Sequence, residues 1–258
     1  MYLETLRRYS VKSMLGEGIS ESEVTERGLA GDRARAVLDV ATGKIASAKN
    51  PRLWRGLLAI EGAGALGDEE LSELLGREVR LIDVPPEGAE FERSVPERVL
   101  AKGVDAEVPH TVGRLGGASP EGTFFDFAPI HLITTSAVER IGALSARGHV
   151  EALRYRPNLV VRTPGEGFPE NDWVGRELHV GDEVVLEVIV ATPRCAVPTL
   201  AHGPLRRDAE ALRTVARHNR VQVFDMGPQP CAGVYARVLR PGRIKRGDQV
   251  RLGAPRRP

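Results

Sequence analysis

Short apolar runs broken by glycine and proline set the pattern of this chain. After a turn at Leu29-Ala30-Gly31-Asp32-Arg33, the apolar positions of residues 34–40 suit a strand buried on at least one face. Thr42-Gly43 then turns the chain into residues 44–48. Further strands are predicted at residues 79–84, 130–133, 158–162, 183–191, 233–240 and 249–252, with a Pro241-Gly242 turn before the last. Helical spacing is rarer. Leu71, Leu74 and Leu75 share one face of a helix over 68–75, with Asp68 as N-cap and Gly76 as stop. Ser136 and Glu139 have capping-box spacing for a helix reaching Leu144. Ala211, Leu212, Val215 and Ala216 make the apolar face of a helix over 207–219. Residues 85–129 lack strong periodicity and read as a connection with a few irregular strands. With strands dominant and no regular βα alternation, the expected fold class is α+β, mainly β, built on a barrel.

Composition narrows the function classes. Lys and Arg number 36 against 35 Asp and Glu, so no bulk charge points to a nucleic-acid or membrane partner. No apolar run approaches a membrane span, and polar residues 10–23 follow Arg7-Arg8 where an export signal needs an apolar segment. A cytoplasmic location is the expectation, with Cys195 and Cys231 as two reduced thiols. The six histidines form no H-x-x-x-H pair and no C-x-x-C occurs, so a zinc site has no support. A G-x-S-x-G elbow is absent as well. Gly62-Ala63-Gly64-Ala65-Leu66-Gly67 matches a dinucleotide fingerprint, but three acids follow it where a helix N-terminus should receive phosphate. It reads as a glycine-rich turn.

Chemistry concentrates at Thr192-Pro193-Arg194-Cys195. A cysteine at a strand end beside an arginine is expected to be partly exposed, in a setting that favours the thiolate. A buried structural cysteine is the alternative.

The ordered motifs of the chain resemble the MOSC family, the domain named from the C-terminus of molybdenum-cofactor sulfurases. Tyr9-Ser10-Val11-Lys12-Ser13, Gly28 to Arg33 and Ala48-Lys49-Asn50-Pro51-Arg52-Leu53 are similar to its accompanying N-terminal β-barrel module. Arg156-Pro157-Asn158-Leu159, Asp172-Trp173-Val174-Gly175-Arg176, Arg194-Cys195, Gly233-Val234-Tyr235-Ala236 and Pro241-Gly242 with Gly247-Asp248 are similar to the MOSC domain itself. The resemblance implies a smaller barrel-like module over 1–99 and a distorted β-barrel MOSC domain over 100–258.

It also implies a site. Cys195 would be the molybdenum ligand and catalytic thiolate, since a soft metal takes a soft donor. Lys12, Ser13, Arg33, Thr135, Ser136, Arg156, Asn158, Arg194 and Tyr235 would surround a molybdenum cofactor (molybdopterin) and its phosphate. Each has a plainer reading. Lys12 and Arg33 suit solvated surface charges, Ser136 a helix cap supported by Thr135, and Arg156 a structural ion pair. Asn158 suits a partner for buried backbone, and Tyr235 a packed strand residue. Three roles follow from the resemblance: an oxidoreductase reducing an N-hydroxylated small molecule with electrons from a separate protein, a sulfur-transfer protein loaded by a pyridoxal-phosphate desulfurase, or a non-catalytic cofactor carrier. No iron–sulfur cysteine cluster is present, so electrons would have to arrive from outside.

Overall fold

The computed structural model describes residues 1–64 and 66–255. Its strands are β1 (Tyr2–Arg8), β2 (Glu17–Ile19), β3 (Glu21–Thr25), β4 (Gly28–Leu29), β5 (Ala36–Asp39), β6 (Val79–Ile82), β7 (Glu90–Ser94) and β8 (His110–Arg114) in the first part. The second part carries β9 (Ile130–Thr134), β10 (Leu159–Arg162), β11 (Arg176–Val180), β12 (Val184–Pro193), β13 (Arg220–Gln222), β14 (Pro228–Arg240), β15 (Gly242–Lys245) and β16 (Val250–Pro255). The α-helices are α1 (Pro51–Trp54), α2 (Asp68–Leu75), α3 (Pro96–Lys102), α4 (Thr135–Leu144) and α5 (Glu210–His218). The chain is α+β and mainly β.

One nine-stranded sheet organises the molecule in the order β16-β11-β12-β14-β9-β10-β1-β2, with β13 added beside β14. Its pairs are antiparallel except β9 with β10, which α4 connects as a crossover. The period of two sorts its side chains. Leu132 of β9, Leu159 and Val161 of β10, Leu178 of β11 and Leu186 and Val188 of β12 fill one core with Leu3 and Leu6 of β1. Ile133 and Val160, from the opposite faces of β9 and β10, pack with Ala137 and Ile141 of α4 and Ala211 and Val215 of α5. Both faces of the central strands are therefore buried, which explains their near-continuous apolar runs.

The sheet curls until β1 meets the entry of β16 without pairing as a ladder. A single bridge joins Tyr2 to Gln249, beside the backbone bonds Leu3 N to Asp248 O and Val250 N to Met1 O. A closed barrel is thus not formed by strand pairing among the described residues. Residues 1–99 do not stand apart either, because β1 lies between β10 and β2 and β3 pairs with β15.

Local differences from the pattern have physical causes. Residues 85–129, expected to hold a few irregular strands, contain a regular hairpin of β7 and β8 with α3 between its strands. The N-cap of α2 is Gly67, and Asp68 turns its Oδ1 to Leu81 N at 2.8 Å. The glycine-rich turn includes Ala65, which lies outside the described residues. No helix is long and apolar enough to cross a membrane among the described residues.

Gly233, at φ +75°, lets β14 close on β9. A Cβ there would strike the Leu132 carbonyl oxygen and stand 2.6 Å from His131 Nε2. Gly233→Ala is expected to destabilise the protein by about 2–4 kcal/mol, from left-handed backbone strain plus overpacking. Equilibrium urea unfolding measures it, and an unchanged midpoint would refute the close-approach argument.

Candidate functional site

The end of β12 places the thiol. Pairing with β14 runs to Pro193 opposite Cys231, and Arg194 N then bonds Pro230 O at 2.8 Å. Cys195 follows in the first turn off the sheet, 9% exposed, against Ala48, Leu58, Val197 and Leu200. It is more enclosed than a strand-end position suggests, yet it lines a cavity of about 850 Å³, including the part open to solvent. Around that cavity stand Lys12, Ser13, Arg33, Lys49, Arg93, Arg154, Tyr155, Arg156, Asn158, His131, Arg194 and Tyr235, with Asp126 as the single lining carboxylate among the described residues. Eight of the ten residues implied by resemblance are there.

Thr135 and Ser136 are not. Strand β9 runs on to Thr134, whose hydroxyl caps α4 by accepting from Ala137 N at 3.1 Å. Thr135 Oγ1 accepts from Thr163 N at 3.2 Å, and Ser136 Oγ lies 2.7 Å from Thr163 Oγ1 and 2.9 Å from Gly165 O. Both hydroxyls are buried and bonded within the chain, and the cap falls to Thr134 in place of Ser136.

Asn158 lines the cavity with its capacity already filled. Its Oδ1 accepts from His131 N at 3.2 Å and Arg33 Nη1 at 3.3 Å, and its Nδ2 donates to Arg7 O and Asp32 Oδ2. Asp32, fully enclosed, also accepts from Tyr9 N at 2.6 Å and pairs with Arg33. Tyr9 sits between two cations, with the Arg33 and Arg156 guanidiniums 4.7 and 4.4 Å from its ring. Four non-glycine residues have positive φ among the described residues, and three of them, Ser13, Arg33 and Arg156, line this one cavity. Left-handed backbone at three positions of one cavity is a cost that the surrounding bonds must sustain.

The cations differ in how far they are neutralised. Lys12 and Lys49 share Asp126, the second at 3.0 Å, and both lie over the Phe91 ring. Burial nevertheless lowers Lys12 to about 8. At Asp126 burial works upward, but the two lysines overcome it and hold the carboxyl far below its usual range. Arg154 is fully buried on Glu151. Arg156 makes no ion pair with a carboxylate among the described residues; it donates to Met14 O at 2.7 Å, and burial lowers it to about 10. Arg194 turns from the thiol to backbone, giving Nε to Ala232 O at 2.9 Å and Nη1 to Tyr155 O at 3.1 Å, with Nη2 on His131 Nε2. Burial and then Arg194 hold His131 neutral, well below its ordinary range. Asp126, Lys49 and Arg93 were not singled out from sequence; Lys49 stands inside a motif that carries the signal, while the loop holding Asp126 offers none.

The MOSC domain profile matches residues 120–251. The chain belongs to the MOSC domain family. That family is associated with molybdenum cofactor binding. The matched span holds Asp126, His131, Arg156, Asn158, Arg194, Cys195 and Tyr235, while Lys12, Ser13, Arg33, Lys49 and Arg93 reach the same cavity from outside it. No curated protein matches the chain. Among solved structures, YuaD from Bacillus subtilis is 12% identical, over 98% of this chain and 95% of its own, with a TM-score of 0.49. YiiM from Geobacillus stearothermophilus is 18% identical over 49% of this chain and 55% of its own, with a TM-score of 0.35.

Next to the MOSC cavity, His202 is fully buried, with Nδ1 3.0 Å from Leu200 O and Nε2 unpartnered among the described residues. Burial, then Arg156, lower it to about 4. Between about pH 6.5 and 4 the unfolded chain binds a proton there that the folded chain refuses, so stability falls as pH falls. From pH 7 to pH 5, His202 should remove about 2 kcal/mol, and His202→Gln should flatten the slope by that amount. His131 acts in the same sense, and Glu170, raised by burial, in the opposite one. Denaturant titrations at both pH values, wild type against variant, isolate the His202 share; parallel slopes would contradict its burial as a neutral ring.

Proposed function

We propose that this MOSC protein binds molybdenum cofactor in the Cys195 cavity and there reduces an N-oxygenated small molecule. The observation that carries the reading is Arg156: a half-buried guanidinium, strained into the left-handed region and making no ion pair among the described residues, on the same cavity as a thiol. A fold tolerates such a cation where an anion is to be held. The donor set suits the group. A terminal phosphate asks for cations, which Arg156 supplies directly, and which Lys12 and Arg33 supply against Asp126 and Asp32. A soft metal asks for sulfur, and Cys195 is the thiol that lines the cavity.

Bound there, molybdenum supplies a two-electron centre able to accept an oxygen atom. The remaining work belongs to the chain. Arg194 and His131 hold the peptide around Cys195 in place through Tyr155 and Ala232, Tyr235 closes the wall, and the apolar patch of Ala48, Leu58 and Val197 keeps water from the sulfur. The net reaction breaks an N–O bond; two protons and two electrons from a separate redox protein carry the oxygen off as water. Cys231, fully buried against Val190, Ala191 and Val223 and raised by burial to about 11, takes no part.

Protein made in a cofactor-competent host should contain about one molybdenum per chain, and Cys195→Ala should lose it while Cys231→Ala keeps it. Arg156→Ala should weaken retention by about tenfold or more without unfolding. Elemental analysis with thermal melts decides. Molybdenum retained in Cys195→Ala would sink the ligand assignment. Metal-free protein that gains one sulfur mass at Cys195 from a desulfurase and cysteine would move the function to sulfur transfer.

A further inference from the structure

The cation left over in the cavity is Arg93. Lys12 and Lys49 are held by Asp126, Arg33 by Asp32, Arg154 by Glu151, and Arg156 and Arg194 lean on backbone carbonyls. Arg93 is half-buried, lines the cavity, and makes no side-chain hydrogen bond or ion pair among the described residues. Its nearest chain neighbour of opposite charge is spent elsewhere, because Glu92 faces away to Lys44 and Asn50, both at 2.8 Å.

Its position is tied to the thiol side. Arg93 and Phe91 are two apart on β7, so they share the face on which Lys12 and Lys49 cover the Phe91 ring. Ser94 N bonds Lys49 O at 3.0 Å, which joins β7 to the segment whose Ala48 packs on Cys195. The hairpin partner β8 is mostly exposed, so β7 is the rim of the cavity, not its floor. A guanidinium at a rim, free of carboxylates and with its planar fork unoccupied, is built to take an oxyanion.

We infer that Arg93 selects substrates carrying an anionic tail, a carboxylate or a phosphate, and holds that tail at the rim while the reacting end lies beside Cys195. This rests on the cavity being the reaction site proposed above, and it names a substrate class that the reading leaves open.

The test uses cofactor-loaded protein and two probes, an aromatic hydroxyamidine and the same molecule with a para carboxylate. Calorimetry gives both dissociation constants, and a chemical electron donor allows turnover to be followed separately. The carboxylated probe should bind wild type about tenfold more tightly than its neutral parent at low ionic strength. Arg93→Gln should bring that ratio close to one, and Arg93→Lys, which keeps the charge but not the fork, should restore part of it. A merely structural role would weaken both probes alike and leave the ratio intact, which overturns the inference; so does a wild type without preference. An Arg93-dependent preference with no turnover of either probe keeps the anion site and removes the reductase reading. Turnover of both probes with no such preference does the reverse.

Discussion

The carboxylate of Asp32 is the interaction on which the site depends. Enclosed and far from solvent, it receives Tyr9 N, Arg33 and the Asn158 amide, and so fastens the exit of β1, the turn after β4 and the start of β10 to one another. Asn158 extends the link to β9 through His131 N, and His131 extends it to Arg194. Removing one member of such a buried pair leaves an uncompensated charge, at a typical cost of about 3–5 kcal/mol. The left-handed backbone at Arg33 and Arg156 is sustained by these bonds and by the Tyr9 ring held between the two guanidiniums. Scaffold and site are therefore the same hydrogen-bond network.

That network collects positive charge in a place where water is scarce, and the unfavourable electrostatics are visible residue by residue. Burial lowers Lys12, Arg156 and Arg194, and among the described residues of the cavity walls only Asp126 answers with negative charge. A cavity tuned for stability alone would pair every cation. Leaving Arg156 on a carbonyl sacrifices stability, and in the proposed function that loss is the cost of attracting an anion.

Much of this was legible before any coordinates. Cys195 was visible because it follows closely on the apolar run of residues 183–191 and stands beside Arg194, and Lys12, Arg33 and Arg156 because they sit in motifs with a recognisable order. Strand β1 escaped notice for a physical reason. Its register slips between Leu3 and Thr5, so Leu3 and Leu6 both face the core with a spacing of three that does not read as a strand. Asp126 and Arg93 were hidden differently: a carboxylate in an aperiodic loop and an arginine in a half-exposed hairpin carry no pattern until tertiary structure gathers them. Ser136 misled because capping-box spacing does not reveal that Thr134, at the end of a strand, takes the cap first.

The pairing of β1 with β10 and of β3 with β15 has a consequence in time. Tyr2 meets Arg162, and Val24 meets Gly242, so β1 and β3 must wait for partners made far later. Contacts of such long sequence separation close slowly, because loop entropy is lost before the bonds reward it. A nascent chain thus carries Lys12, Ser13 and Arg33 out of the ribosome well before the walls that complete their cavity. A ligand that needs both sides of the cavity therefore meets a complete site only once the walls from His131 to Tyr235 have been made and have paired with β1.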